Sequence, residues 1–207
     1  GLSEGFIRAG FNPIAHVEMN PDACNTLKTR TAFHYLKEKG RVNEYYEYLK
    51  GEITRDELWS KIPQHLISSV INKEISPETL PQIFSIIDKE LQKKDVDIVI
   101  GGPPCQAYSV AGRARKNMED DPRNHLYKHY VEFLKRYKPK MFVFENVPGI
   151  LSASNGKYLE KIFSAVKEQG YELEKNVLNA KDFNVLQDRQ HFAKNLKPQS
   201  FQNQGIA

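Results

Sequence analysis

The feature that most constrains this chain is a pair of short apolar segments, residues 96–100 and 141–144, separated by one helical stretch. The first is rich in β-branched residues, and both are typical of strands that are buried on both faces of a sheet. Residues 125–137 are predicted to form the helix between them. Two strands joined by a helical crossover form a right-handed βαβ unit, so we expect these strands to be parallel.

The alternation of strands and helices continues on both sides of this unit. The sequence predicts a strand over residues 13–18 and a helix that starts at Asn20 and Pro21, since asparagine is a favoured cap and proline a favoured first residue. It also predicts a helix over residues 156–169 and a strand over residues 173–178. This order is typical of an α/β fold in which helices flank a mostly parallel sheet.

Residues 36–94 interrupt the alternation and are predicted to form a helical insertion, followed by a helix that packs on the sheet. Two sets of apolar residues recur there at helical spacing: Leu58, Ile62, Leu66 and Val70, then Ile83, Ile87 and Leu91. The first half of the same stretch holds three tyrosines and the tryptophan: Tyr45, Tyr46, Tyr48 and Trp59. Such side chains can stack on nucleic-acid bases, but packing between helices is their commoner role.

Composition excludes several classes of protein. Of the 207 residues, 40% are hydrophobic and 27% are charged, which is typical of a folded globular domain and not of a disordered chain. No apolar run approaches the ~18 residues of a membrane-spanning helix, and no basic-then-apolar leader opens the sequence. We therefore expect a cytoplasmic protein with no membrane association. The net charge of +4 permits a nucleic-acid partner without requiring one.

Candidate chemistry lies where the first buried strand ends, because ligands of parallel α/β sheets bind beyond the carboxyl ends of the strands. Two glycines, two prolines and Cys105 follow that strand. Glycine lets the backbone turn sharply and approach a ligand closely, and proline stiffens the chain. The segment therefore presents one thiol in a fixed position, as a nucleophile requires.

The commoner fate of a lone cysteine is to be buried and inert. We assign that role to Cys24, within a predicted helix, and the nucleophile role to Cys105. Two cysteines so far apart form neither a disulfide framework nor a CxxC zinc site. We therefore expect a reducing compartment and no bound metal.

Glu145 follows the second buried strand, 40 residues after Cys105. One βαβ crossover separates them, so both side chains are expected at the same edge of the sheet. A carboxyl group beside a thiol can act as a proton donor. A helix-capping or solvated acid is the alternative for Glu145, and the two residues together leave the substrate open.

Two segments carry a specific resemblance: Gly-Gly-Pro-Pro-Cys-Gln-Ala-Tyr-Ser at residues 101–109 and Glu-Asn-Val at residues 145–147. Their order and spacing resemble the DNA (cytosine-5)-methyltransferase family of bacterial type. Three further segments follow the order of that family. Residues 1–6 resemble the end of its first cofactor motif, residues 17–20 its ribose-binding acid, and residues 187–189 its Gln-x-Arg-x-Arg segment.

The resemblance implies the Rossmann-like fold of S-adenosylmethionine-dependent methyltransferases and methyl transfer to carbon 5 of a cytosine flipped out of double-stranded DNA. Cys105 would attack carbon 6 and form a covalent adduct. Glu145 would hold ring N3, and Arg189 would orient both Glu145 and the base. The implied substrate-binding residues are Gln106, Ser109, Asn146, Val147 and Gln187.

The implied cofactor is S-adenosylmethionine, with S-adenosylhomocysteine as product. Glu18 would accept hydrogen bonds from the ribose hydroxyls, and Met19 would lie beside the adenine. The acid near the adenine amino group is placed at Glu74, together with Ile75, and Glu52 is the alternative. The other implied cofactor-binding residues are Gly1, Pro104 and Leu126. The family also implies a monomer that acts beside a cognate restriction endonuclease.

The chain departs from the family pattern at both ends. The Phe-x-Gly-x-Gly segment is absent before Gly1, His191 replaces the second arginine, and residues 193–198 do not resemble the expected strand. We therefore assign residues 1–192 to the catalytic domain and residues 193–207 to a tail that leads to a missing target-recognition domain. We expect these 207 residues alone neither to bind a DNA sequence selectively nor to methylate it.

Three other functions remain open from the sequence: methylation of tRNA, a non-catalytic cofactor- or DNA-binding module, and a cysteine-dependent hydrolase. Residues 107–113 look more like those of bacterial DNA enzymes than those of tRNA enzymes. The presence of both Cys105 and Glu145 argues against a non-catalytic module. A hydrolase would need a histidine base, whereas His125 and His129 lie on a predicted helix.

Overall fold

The structure, a computed structural model, describes residues 2–102, 126–151, 156–183 and 190–196. The chain divides into two units, Gly1–Lys94 and Asp95–Ala207. Each unit contains a pair of parallel strands together with helices. This confirms the predicted α/β class.

The first unit is mainly helical. Its elements are α1 (Leu2–Arg8), β1 (His16–Glu18), α2 (Pro21–Glu38), α3 (Val42–Leu49), α4 (Arg55–Ser60), α5 (Gln64–Ser68), β2 (Val70–Asn72) and α6 (Leu80–Leu91). Strands β1 and β2 pair in parallel, from His16 opposite Val70 to Glu18 opposite Asn72. The carboxyl ends of the two strands therefore lie side by side.

The predicted start of α2 is confirmed by its cap. The Asn20 side-chain oxygen accepts hydrogen bonds from the backbone N–H groups of Asp22 and Ala23, at 2.9 and 3.0 Å, and Pro21 is the first helical residue. These bonds satisfy donors that the helix itself leaves unpaired. The cap thereby fixes the direction in which the chain leaves β1.

A cluster of side chains from α2, α3 and α4, together with Ile62, forms a core in the first unit. Its buried members are Ala32, Leu36, Tyr45, Leu58 and Ile62. Tyr48 and Trp59 pack against this cluster, which confirms the packing interpretation for these aromatic residues. Tyr46 is 47% exposed.

The second unit is built around a four-stranded sheet. Its elements are β3 (Ile98–Gly101), α7 (Leu126–Tyr137), β4 (Met141–Asn146), α8 (Lys157–Lys167), β5 (Glu174–Asn179) and β6 (Gln190–Leu196), with short 3-10 helices at Pro148–Leu151 and Ala180–Phe183. The strand order is β3-β4-β6-β5. β3 and β4 are parallel, as the βαβ prediction requires, whereas β6 is antiparallel to both of its neighbours.

Helices α7 and α8 supply the core of the second unit together with β4. The buried residues are Tyr127, Val131 and Leu134 of α7, Phe142 and Phe144 of β4, Tyr158, Leu159, Ile162 and Val166 of α8, and also Ile150 and Tyr171. The Tyr171 hydroxyl donates a buried hydrogen bond of 2.8 Å to the Pro139 carbonyl, just before β4 begins. Gly170, with φ of +83°, follows α8 in the left-handed conformation that favours glycine.

Two strands differ from the prediction. Val70, which was assigned to a helical pattern, begins β2, and residues 193–196, which were not expected to form a strand, belong to β6. Pairing decides both cases. β2 pairs with β1, and β6 is hydrogen-bonded on both edges because it lies between β4 and β5.

Helix length bears on membrane association. α2 is the longest helix of the described ranges, with 18 residues. Neither it nor any other helix in those ranges is both long enough and apolar enough to cross a bilayer.

Candidate catalytic and cofactor sites

The carboxyl ends of β3 and β4 form one edge of the second unit. The two strands stay in register to the end of β3, where Gly101 lies opposite Phe144. Glu145 is the next residue of β4, and Gly102 leads from β3 into the segment that carries Cys105. The topology thus brings Glu145 beside the start of that segment, as expected from the sequence.

Gly102 and Glu145 approach each other so closely that no side chain fits between them. A Cβ atom built on Gly102 would lie 2.5 Å from the Glu145 carbonyl oxygen and 3.0 Å from the Glu145 Oε2 atom. The 2.5 Å contact is shorter than real Cβ atoms make. Because it would be with a backbone atom, it could not be relieved by the rotation of a side chain. Neither Gly101 nor Gly102 has a positive φ. Glycine is therefore required at position 102 for space beside Glu145 and not for a left-handed turn.

The residue after Glu145 is also held in place. Asn146 is a buried polar residue, with 4% of its surface exposed. Its Oδ1 atom accepts a hydrogen bond of 2.9 Å from the backbone N–H of Val147. Burial and this bond fix the backbone where β4 ends, and with it the direction of the neighbouring Glu145.

β6 reaches the same edge from the opposite direction. It pairs Ala193 with Glu145 and Phe192 with Asn146 in an antiparallel ladder. The amino end of β6 therefore lies beyond the carboxyl end of β4. Arg189 directly precedes Gln190, the first residue of β6, so the chain enters β6 at the edge that carries Glu145.

The carboxyl ends of β1 and β2 form a second edge, in the first unit. The Glu18 carboxylate accepts a hydrogen bond of 2.8 Å from the Asn20 backbone N–H. The Asn72 side-chain amide donates to the carbonyls of Glu18 and Met19, at 3.1 and 2.9 Å, and thereby joins the two strand ends. Met19 is 61% exposed. A carboxylate beside an exposed apolar side chain fits a nucleoside, since the acid can accept bonds from ribose hydroxyls and the apolar chain can cover a base.

Glu74 and Ile75 lie just beyond the end of β2, the strand that pairs with β1. Glu74 is exposed and Ile75 is partly buried. The alternative acid, Glu52, follows α3 and lies 3.7 Å from the ammonium of Lys50. Glu74 lies two residues after Asn72, the last residue of β2, whereas Glu52 lies 18 residues before that strand begins. Its position beside the end of a paired strand favours Glu74.

Cys24 has the properties of a structural cysteine. It is 1% exposed, and its thiol donates to the Glu18 carbonyl at 3.2 Å. Burial, with a further contribution from the Glu18 charge, raises the pKa of the Cys24 thiol. A thiol that resists ionisation is a poor nucleophile, which agrees with the inert role predicted for it.

Several predicted site residues lie outside the described residues: Gly1, Pro104, Cys105, Gln106, Ser109, Gln187 and Arg189. His125 lies outside them as well. Leu126 is the first residue of α7 and is partly buried. Of the predicted catalytic residues, Glu145 is thus the one whose surroundings the structure describes.

A solved structure shares the fold of this chain. The crystal structure of S. pombe Dnmt2 methyltransferase matches this chain with a TM-score of 0.51 and 16% sequence identity, over 95% of this chain and 45% of that one. At this identity the likeness supports the fold alone. The fold is Rossmann-like, as expected.

Sequence comparison defines the family. The model of the C-5 cytosine-specific DNA methylases matches residues 69–193. The type II methyltransferase M.Bpa9945I of Bacillus paralicheniformis is 38% identical over 219 residues, which cover 91% of this chain and 49% of that protein. M1.HphI of Haemophilus parahaemolyticus is 32% identical over 189 residues, 91% of this chain and 41% of its own length. The chain belongs to the C-5 cytosine-specific DNA methylase family, and it spans about half or less of the length of these two relatives.

Proposed function

We propose that the protein transfers a methyl group to carbon 5 of cytosine in double-stranded DNA. The observation that carries this proposal is the close packing of Glu145 against Gly102, where the segment that leads to Cys105 begins. Family membership supports the reaction type, and the type II relatives support DNA as the substrate. Fixed placement of an acid beside a nucleophile-bearing segment is what covalent catalysis requires.

Cys105 is proposed as the nucleophile. Its thiol loses a proton, and the sulfur forms a bond to carbon 6 of a cytosine flipped out of the duplex. The electron pair of the carbon 5–carbon 6 double bond then makes carbon 5 nucleophilic. After carbon 5 has gained the methyl group, it loses its proton, and the sulfur–carbon 6 bond breaks to restore Cys105 and the aromatic ring.

Glu145 is proposed to hold ring N3 of the cytosine. A hydrogen bond or proton at N3 lets the ring accept electrons while sulfur attacks carbon 6. We propose that Arg189 orients Glu145 and the base, because the chain enters β6 at the edge that carries Glu145. The proposed substrate contacts are Gln106, Ser109, Asn146, Val147 and Gln187.

The end of β1 fits the nucleoside part of S-adenosylmethionine, which supplies the methyl group when bound. Glu18 is proposed to accept hydrogen bonds from the ribose hydroxyls, and exposed Met19 to cover the adenine. Glu74 and Ile75 are proposed near the adenine amino group. Gly1, Pro104 and Leu126 complete the proposed set of cofactor contacts.

The proposed setting is a restriction–modification system. The names of the two type II relatives support it. We propose a cytoplasmic monomer that acts beside a cognate restriction endonuclease. Since β6 runs to Leu196 within the sheet, the boundary expected at residue 192 is moved: residues 1–196 are proposed as the catalytic domain, and residues 197–207 as the connection to a target-recognition domain.

Product analysis tests the proposed reaction. The complete protein is incubated with S-adenosylmethionine that carries a tritiated methyl group, and with either duplex DNA or tRNA. Each nucleic acid is then digested to nucleosides. We expect label in 5-methyldeoxycytidine from the DNA and none above background from the tRNA. Label confined to the tRNA, or to the exocyclic amine of cytosine, would contradict the proposal.

Two serine variants test the assigned nucleophile. Cys105→Ser is expected to abolish methyl transfer, because an alcohol is almost never ionised at neutral pH. Cys24→Ser is the matched control, since Cys24 is buried and donates to a backbone carbonyl. It is expected to retain turnover with a modest loss of stability. Turnover by the Cys105 variant at the wild-type rate would remove that residue from the mechanism.

A further inference from the structure

Tyr130 of α7 joins the two strands that lead to the proposed catalytic edge. Its hydroxyl donates to the Val143 carbonyl of β4 at 3.1 Å and to the Val99 carbonyl of β3 at 3.2 Å. Val143 lies two residues before Glu145, and Val99 lies three residues before Gly102. One phenol group thus connects β3 and β4 just before their functional ends.

The Tyr130 ring is enclosed by the residues that form this edge. It packs edge-on against Phe142 and Phe144, with ring centroids 6.0 and 5.5 Å apart. A Cβ atom on Gly101 would lie 3.0 Å from the Tyr130 Cε2 atom. Gly101 therefore leaves the room that the ring occupies, and the next residue, Gly102, packs against Glu145.

Burial keeps the Tyr130 hydroxyl in its donor form. It raises the pKa of Tyr130 well above the usual value of 10.0, so the hydroxyl stays protonated at neutral pH. Two carbonyls share its single proton in a three-centre hydrogen bond. Loss of the hydroxyl would remove this link while the ring remained in place.

We propose that Tyr130 is a positioning residue for the methyl transfer, because its hydroxyl and ring hold the ends of β3 and β4 at the spacing that places Glu145 against Gly102. The proposal rests on the proposed function of Glu145. Tyr130 acts through the strands and touches neither the cytosine nor the cofactor. A displacement of about 1 Å at a catalytic group can lower turnover about 100-fold, and one lost hydroxyl permits a smaller displacement.

Tyr130→Phe tests the proposal, and Tyr171→Phe is its matched control. Both changes remove one tyrosine hydroxyl that bonds to the backbone next to or within β4. The Tyr171 hydroxyl bonds to Pro139, before β4 begins. The Tyr130 hydroxyl bonds to Val143, two residues before Glu145 in β4, and to Val99 in β3. Both variants should lose stability to a similar extent, which their melting temperatures measure in the complete protein.

The two variants should differ in turnover. We expect Tyr130→Phe to lower kcat about tenfold with little change in KM for S-adenosylmethionine or DNA, and Tyr171→Phe to keep the wild-type kcat. Hydrogen exchange supplies a readout that needs no activity: amides of residues 98–102 and 143–147 should exchange faster in Tyr130→Phe than in Tyr171→Phe.

Each outcome separates the two hypotheses. An active wild-type protein whose Tyr130→Phe variant keeps its kcat would overturn the positioning role and leave the proposed function intact. Equal losses of kcat in both variants would also overturn it, because a general loss of stability would then suffice. A wild-type protein that methylates no cytosine would contradict the proposed function itself, whatever exchange pattern the variants show.

Discussion

The two strand edges of this protein are held in different ways. At the β1–β2 edge, the proposed cofactor residue Glu18 is partly buried and its neighbour Met19 is 61% exposed. At the β3–β4 edge, Asn146 is 4% exposed, and Glu145 packs against Gly102 without room for a Cβ atom. The two edges therefore differ in packing: Met19 leaves open surface at the first edge, whereas at the second edge the partly buried Glu145 lies against the backbone of the neighbouring strand.

The difference suggests how each edge tolerates change. The Glu18 carboxylate depends on a bond from Asn20, two residues away, so a change there should stay local. The Glu145 backbone depends on contacts from another strand, so a change there should spread to the neighbouring segment. We expect substitutions at the β1–β2 edge to alter binding and substitutions at the β3–β4 edge to alter turnover.

The largest effect is expected at Glu145 itself. Glu145→Gln keeps the shape of the side chain but removes the proton or charge that the reaction uses, so kcat should fall ~100- to 10,000-fold. KM for DNA should change much less. Steady-state kinetics between pH 6 and pH 9 measure both constants. Unchanged turnover over that range would mean that Glu145 is only structural. It would also mean that substitutions at the β3–β4 edge do not differ from those at the β1–β2 edge in their effect on turnover.

A smaller but still large loss is expected from Gly102→Ala. The added methyl group would meet the Glu145 carbonyl at 2.5 Å, and the displacement of the edge should lower kcat about 100-fold. Gly40, which follows α2, offers the control, since a Cβ atom there has open space but the φ of +70° strains any residue other than glycine. Gly40→Ala should leave kcat unchanged and lower the free energy of unfolding by about 1 kcal/mol or more. Equal kcat values for the two alanine variants would show that turnover does not depend on the close contact between Gly102 and Glu145.

At the exposed edge, Glu18→Gln should weaken binding without slowing chemistry. The amide oxygen can still accept the bond from Asn20, but the charge that favours the ribose hydroxyls is lost. Because a hydrogen bond to a charged group contributes ~1.5–3 kcal/mol, KM for S-adenosylmethionine should rise about tenfold or more. Glu38→Gln, at an exposed acid that pairs with Lys39, is the control. A fall in kcat at constant KM would place Glu18 among the groups that act on turnover.

The smallest effect concerns the pH dependence of the first unit. Glu4 bonds to Arg30 at 2.7 Å and lies 3.1 Å from His34. The Arg30 hydrogen bond lowers the pKa of Glu4 from 4.5 to about 2. A carboxyl group whose pKa is lowered by folding stabilises the protein fully above pH 4.5, and that contribution is lost as the pH falls towards 2.

Denaturation of Glu4→Gln should reveal this contribution. Its free energy of unfolding should be about 1 kcal/mol lower than that of the wild type at pH 7, as expected for a partly exposed ion pair. The gap should shrink below pH 4.5. A gap that stays constant down to pH 2.5 would show that the Glu4 charge does not stabilise the first unit.

The sequence predicted the elements whose signals are local. The cap at Asn20, the apolar strands β3 and β4 and the helices α7 and α8 all lie within one to three residues of their predicted bounds. Burial of Cys24 was also predicted, since a lone cysteine within a helix is most often buried. The Asn20 side chain itself forms the cap that starts α2, and the β-branched residues of the segment 96–100 favour the strand conformation of β3.

The missed elements depend on contacts between distant residues. β2 has only three residues, Val70–Asn72, and forms because β1 supplies a partner. β6 is polar over much of its length, yet it is bonded on both edges. The roles of Gly102 and Tyr130 depend on the β3–β4 register. Single-sequence periodicity contains no information on any of these pairings.

Covalent trapping is the sharpest test of Cys105 as the nucleophile. The complete protein is incubated with S-adenosylmethionine and duplex DNA in which 5-fluorocytosine replaces cytosine, and the mixture is resolved under denaturing conditions. Fluorine at carbon 5 blocks the final elimination, so we expect a stable protein–DNA adduct through Cys105 with the wild type. We expect the same adduct with Cys24→Ser and none with Cys105→Ser. An adduct of equal yield with Cys105→Ser, or methylation of ordinary DNA without any adduct, would show that Cys105 is not the nucleophile.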